Sequence, residues 1–162
     1  MADNYTPPSC KAFSLSELND VMLEILESGG KITFAPRGAS MQPMLYQGRD
    51  RVTIEKPPER LKVYDIPFYR RDDGRFVMHR IVGIKDGAYK LCGDNQYNVE
   101  YPVRRDQIFA VVTSFERCGR QISCKAFSYR VYCFLWTLFL PVRKQLLAVK
   151  RFLGRIKRRV KK

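Results

Sequence analysis

The sequence has one histidine, and its five cysteines (10, 92, 118, 124 and 133) form no Cys-x-x-Cys pair. That excludes the common structural zinc sites, and neither a metal nor a cofactor is expected. An odd cysteine count without a disulfide pattern fits reduced thiols and a cytosolic setting. Long apolar runs are also missing. Val131–Val142 is free of charge for 12 residues, short of the roughly 20 that cross a bilayer. The opening MADNYTPPSCKAF has no apolar h-region, so no secretory signal peptide is expected. Acidic residues are absent from the last 46 positions.

That last absence organises the chain. Residues 1–116 hold 16 Lys+Arg and 16 Asp+Glu, whereas residues 117–162 hold 14 Lys+Arg and no acid. A neutral domain therefore carries a basic tail, with the boundary near Gly119. Hydrophobic residues make up 45% of 162 positions, enough for one packed domain plus appendages. No internal repeat or low-complexity segment interrupts it.

Residues 1–13 are polar, contain a Pro pair and read as a loose arm. FSLSELNDVMLEILESGG predicts a helix. Ser14 or Ser16 can cap it, and Glu17 completes a capping box with Ser14. Leu18, Val21, Met22, Ile25 and Leu26 recur at helical spacing, and Gly29-Gly30 ends the run. The texture then changes. KITFAPRG, RVTIEK, DIPFYRR, RFVMHRIVGIK, AYKLCG and QIFAVVTSFER are short, β-branched or aromatic runs. QGRD, RRDDGR, KDG and GDN separate them as turns. This pattern predicts a mainly β fold, a small coiled sheet or barrel-like domain, with a helix before it and one or two after.

Three stretches carry possible chemistry. GASMQPML (38–45) places Ser40 after two small residues. A serine hydroxyl becomes a nucleophile only with a base in reach and donors for the oxyanion. Small neighbours let backbone N–H groups approach a carbonyl, but the stretch also suits an ordinary turn. MHRIVGI holds His79, the usual base for such a serine, in an apolar run where a merely packed imidazole also fits. LCGDNQYNVEYPV holds Asp94, either a turn residue or the acid that orients a histidine. Glu100 is a weaker acidic candidate.

The order of these motifs says more than each alone. Ser-Met-x-Pro, His-Arg-Ile-Val 39 residues on and Gly-Asp-Asn 15 further resemble the signal peptidase I clan of serine peptidases. GGKITFAPRGASMQPMLYQGRDRVTI looks like that clan's strand–nucleophile–strand block, DIPFYRRDDGRFVMHRIVGI like the hairpin that delivers the base, and IFAVVTSFERCGR like the closing strand. The resemblance covers about residues 15–120. Leader peptidases and LexA-like repressors have lysine where this chain has His79, so MHRIV with GDN looks like the histidine branch, the endoplasmic-reticulum type and its bacterial relatives. The resemblance implies Ser40 as nucleophile, His79 as general base and Asp94 as acidic partner, with Glu100 where a second acid often stands. It implies a nucleophile loop of Gly38, Ala39, Met41 and Pro43, with the Ser40 N–H lining the oxyanion hole. Two features depart. Gly38 stands where signal peptidases often have a hydroxyl donor, and an amphipathic helix precedes Ser40 in place of a membrane anchor.

The end of the chain reads as a membrane-seeking segment. Tyr129, Tyr132, Phe134, Trp136 and Phe139 are the aromatics of an interfacial belt. Leu146, Val149, Leu153, Ile156 and Val160 form one apolar stripe among ten basic residues between Arg143 and Lys162, as suits an anionic surface. The expected organisation is an arm (1–13), a catalytic domain (14–120) and a membrane-associating tail (121–162). The expected partners are a peptide or protein substrate and an anionic membrane contacted by residues 126–162, on the cytoplasmic face. Nucleic acid is disfavoured, because no helix-turn-helix, zinc finger or aromatic RNA-binding motif accompanies the basic stripe. The alternatives are a LexA-like self-cleaving regulator and a peptide-binding relative without turnover.

Overall fold

The structure, a computed structural model, describes residues 15–145. The arm, the side chains expected to cap the first helix and the apolar stripe of 146–160 lie outside the described residues. The predicted first helix forms as α1 (Leu15–Glu27). It ends at Gly29, whose φ of 80° continues no right-handed helix. Leu26 is buried.

The chain is mainly β, as predicted. Nine strands follow among the described residues: β1 (Ile32–Phe34), β2 (Asp50–Glu55), β3 (Pro67–Arg70), β4 (Phe76–Met78), β5 (Arg80–Lys85), β6 (Ala88–Cys92), β7 (Glu100–Val103), β8 (Ile108–Arg117) and β9 (Arg120–Ser123). Period-two alternation builds them. In β2, Asp50, Val52 and Ile54 face inward and Arg51 outward. Burying a Val or Ile in this way contributes about 1.5–3 kcal/mol. Asp50 accepts hydrogen bonds from Tyr46 N–H (2.9 Å) and from Arg49 (2.7 Å), which closes the QGRD turn onto the start of β2.

One antiparallel sheet has the order β1-β2-β8-β3-β4, with β9 also paired to β8. The other is β5-β6-β7. The run RFVMHRIVGIK was expected as a single strand. It is two, because β4 belongs to the first sheet and β5 to the second. His79 is the one residue between them, at the seam where the chain changes sheets.

The expected boundary near Gly119 marks a change of charge, not the end of the packed unit. The β9 strand extends the sheet, and helix α2 (Phe127–Leu138) buries Tyr129 and Cys133 in the core with Leu26, Met44 and Phe115. Among the described residues no helix is long and apolar enough to cross a membrane.

Candidate active site

Ser40 and His79 line one cleft of about 800 Å³. Its walls include Phe34, Phe68, Phe76 and Met78, with Arg71 and Gln96 adding polar groups. Two edge strands of the larger sheet, β1 and β4, both contribute to the lining.

Ser40 sits in the turn that follows β1. Gly38 opens this turn with φ 89°, and its N–H donates to Gln47 Oε1 at 2.9 Å. The Ala39 carbonyl accepts from Gln42 N–H at 3.2 Å. Met41 is buried in the core, and Pro43 follows a cis peptide bond from Gln42. The turn is thus anchored by Met41 below and by Gln47 at its start. The Ser40 N–H has no hydrogen-bond acceptor among the described residues, so the loop can offer it to a developing oxyanion.

A second loop braces the turn. Asn95 N–H donates to the Ser40 carbonyl at 2.7 Å, and Asn95 Nδ2 donates to the Ala39 carbonyl at 3.1 Å. Gly93 passes so close that a Cβ there would lie 2.7 Å from the Ser40 oxygen. Glycine is required here by that approach.

His79 is buried, and its Nδ1 lies 2.8 Å from Glu100 Oε1 and 3.3 Å from the Tyr69 hydroxyl. The Tyr69 hydroxyl donates its own proton to Glu100 Oε2 at 2.9 Å. Both neighbours of Nδ1 therefore act as acceptors. The proton belongs on Nδ1, and Nε2 keeps its lone pair. Arg71 grips the same carboxylate, with Nε 2.8 Å from Oε2 and a terminal nitrogen on Oε1. Burial pushes the His79 imidazole below its ordinary pKa, more than the Glu100 charge raises it. Burial alone raises Glu100, but the hydrogen bonds from Arg71 and Tyr69 outweigh it and hold the carboxyl below its usual range. Near neutral pH the pair is a neutral imidazole against a carboxylate.

Asp94 was expected as the acidic partner of His79. It is instead paired with Arg80, which donates from Nε at 2.9 Å and from a terminal nitrogen at 2.7 Å. Both residues are 1% exposed. The reason is alternation, since consecutive residues of an extended chain point to opposite sides. His79 turns to the cleft, and Arg80 turns away, taking Asp94 with it. Glu100, the weaker candidate, is the carboxylate beside His79 Nδ1, brought there as the β6–β7 pairing sets it opposite Leu91. Tyr69 and Arg71 were not singled out from the sequence. Their signal was a two-residue spacing in DIPFYRR, which puts both on one face of β3 and its extension.

The remaining Arg80 donors reach Tyr129 Oη (2.9 Å), Cys133 Sγ (2.8 Å) and Met44 Sδ (3.0 Å). The arginine is thus fully enclosed by α2 and the core. Among the described residues no group of three His, Cys, Asp or Glu side chains gathers where it could hold a metal ion.

The chain was compared with protein-family models, with curated proteins and with solved structures, and it matches none of them.

Proposed function

We propose that this chain is a serine endopeptidase of the signal peptidase I clan, of the histidine type. It acts on an extended stretch of a peptide or protein at the cytoplasmic surface of a membrane. The observation that carries the reading is the polarised His79, with Nδ1 held against Glu100 and Ser40 lining the same cleft. Nε2 takes the proton from Ser40 Oγ as the oxygen attacks the scissile carbonyl. The oxyanion of the tetrahedral intermediate is met by the Ser40 N–H. Collapse breaks the C–N bond, and His79 returns the proton to the leaving amine. Water, deprotonated by the same nitrogen, then releases the acyl group and restores Ser40. Glu100 keeps the imidazole in the required tautomer and stabilises its cationic form, the role of the third member of a triad.

The edges of β1 and β4 on the cleft favour a substrate in extended form, because an unpaired strand edge adds a further strand through its main-chain groups. The apolar walls suit uncharged side chains. Association with a membrane surface rests on the acid-free final 46 residues.

Gly38 supports a second reading, a peptide-binding relative with little turnover, because a hydroxyl donor at that position is missing and one such donor is worth on the order of 10²-fold in rate. The purified chain incubated with a quenched-fluorescent peptide library separates the two. The wild type is expected to cleave a subset, and Ser40→Ala and His79→Ala to cleave none while melting like the wild type. Cleavage retained in both variants overturns the peptidase reading. A wild type that binds peptides without cutting them establishes the second.

A further inference from the structure

Helix α2 has two faces of unlike chemistry. Tyr129, Tyr132, Cys133 and Trp136 look inward. Phe127, Val131, Phe134, Leu135 and Leu138 recur at three- and four-residue steps and form a stripe on the other side. Phe127 is 83% exposed and Leu138 61%. Phe139 and Val142 continue the exposed apolar surface beyond the helix. Nothing within the described residues covers this stripe, and no acidic residue occurs anywhere in 117–162.

The inward face leads to the nucleophile loop. The Tyr132 hydroxyl donates to Asp94 Oδ2 at 3.1 Å, and the Trp136 indole N–H donates to the Asp94 carbonyl at 3.0 Å. Arg143, buried just after the helix, donates to the carbonyls of Gln96 (3.1 Å) and Gly93 (3.3 Å). The next residue in this segment, Asn95, is the one that clamps Ser40 and Ala39. One face of α2 therefore holds the back of the loop whose front holds Ser40.

We infer that the outward stripe of α2 docks on an anionic lipid surface, and that docking steadies the Ser40 loop through Tyr132, Trp136 and Arg143. The site of attachment is the partner assigned here; its consequence for catalysis rests on the peptidase reading. Lipid is favoured over a second copy of the chain by charge. Two stripes packed together would bring two basic, acid-free segments side by side, whereas anionic headgroups neutralise them. A 12-residue helix is about 18 Å long, against a hydrocarbon core of about 30 Å. It lies along the interface, with its aromatic and aliphatic side chains entering the acyl boundary.

The full-length Ser40→Ala chain tests this without any need for turnover. It is mixed with vesicles of phosphatidylcholine and phosphatidylglycerol, or of phosphatidylcholine alone, then sedimented and followed by amide hydrogen exchange. Binding to the mixed vesicles is expected, with exchange slowed across residues 38–46 and 92–97. The double variant Phe134→Asp, Leu138→Asp should bind at least about tenfold more weakly, since charge on the embedded face opposes insertion. A milder pair, Phe134→Ala with Leu138→Ala, serves if the first melts early. Trp136→Phe keeps an apolar ring but loses the indole donor, so it should bind while losing the slowed exchange. Failure to sediment, or sedimentation indifferent to the stripe, overturns the docking surface. A doubled mass in solution with the stripe buried assigns it to a second copy and overturns it too. Binding without slowed exchange at 38–46 overturns the link to Ser40. None of these outcomes depends on peptide cleavage, so a failed peptidase reading leaves the docking result standing.

Discussion

His79 and Arg80 are neighbours in sequence, and each faces a carboxylate, yet the two pairs are built for different work. Arg80 and Asp94 are sealed among α2, Met44 and the core, with each donor used. Arg80 is a permanent cation, bound at two points to a carboxylate that is 1% exposed, so the pair fixes position. His79 lines a cleft, and Glu100, in contact with its Nδ1, is a quarter exposed. Here the cation is optional and the imidazole is pushed toward neutrality by burial. A sealed ion pair suits a joint between elements, and one built on an imidazole suits proton transfer. Alternation along one extended segment supplies both.

The largest effect should come from breaking the sealed pair. Arg80→Met leaves the Asp94 carboxylate buried without its cation and is expected to cost about 3–5 kcal/mol of folding stability. Denaturant unfolding followed by Trp136 emission measures it. Adding Asp94→Asn in the same chain should recover part of the loss, since the uncompensated charge is then gone. A single variant as stable as the wild type would show that the pair is not the joint between α2 and the sheet.

Glu100→Gln should do the reverse, sparing the fold and removing activity. An amide can offer Nδ1 a donor as readily as an acceptor, so the tautomer with Nε2 free is no longer enforced. Peptide cleavage is expected to fall on the order of 10²-fold, mostly in kcat, within the range general-base groups contribute. The melting temperature should move little, because this pair is partly solvated. Equal losses of stability in Arg80→Met and Glu100→Gln would erase the distinction between the pairs.

What neighbouring residues decide was legible in the sequence, and what distant segments bring together was not. Strand alternation and the turn at QGRD rest on local pattern, and local pattern sufficed; Ser40 and His79 were singled out by the order of their motifs, and the fold brings both to one cleft. The acid partner was not legible in this way. Asp94 sits in a motif that draws attention, whereas Glu100 is brought to His79 only by the long-range pairing of β6 with β7. The break of RFVMHRIVGIK into strands of two sheets is equally non-local, because each half satisfies the same alternation. The aromatics of α2 read as membrane-seeking, yet Tyr129, Tyr132 and Trp136 face inward. Composition counts aromatic residues, and only a neighbouring loop with buried donors and acceptors decides which side they take.

The finest test lies in the pH dependence of the titratable pair. In the proposed mechanism the active form of His79 is neutral, so cleavage should rise as pH climbs through the imidazole pKa and level off above it. Burial places that rise below the ordinary histidine range. Arg71 lowers the His79 pKa by its charge, while Glu100 raises it. Arg71→Gln removes a nearby cation and leaves the carboxylate less neutralised. Both changes favour imidazolium, so the acid limb of kcat/KM should move to higher pH. Glu100→Gln removes the anion that favours imidazolium, so its residual activity should show the limb displaced to lower pH. Two substitutions on opposite partners of one salt bridge are thus expected to shift the same limb in opposite directions. A merely structural role for the bridge predicts the same limb in both variants. Measured profiles that coincide after scaling for amplitude would therefore remove Glu100 and Arg71 from the tuning of His79.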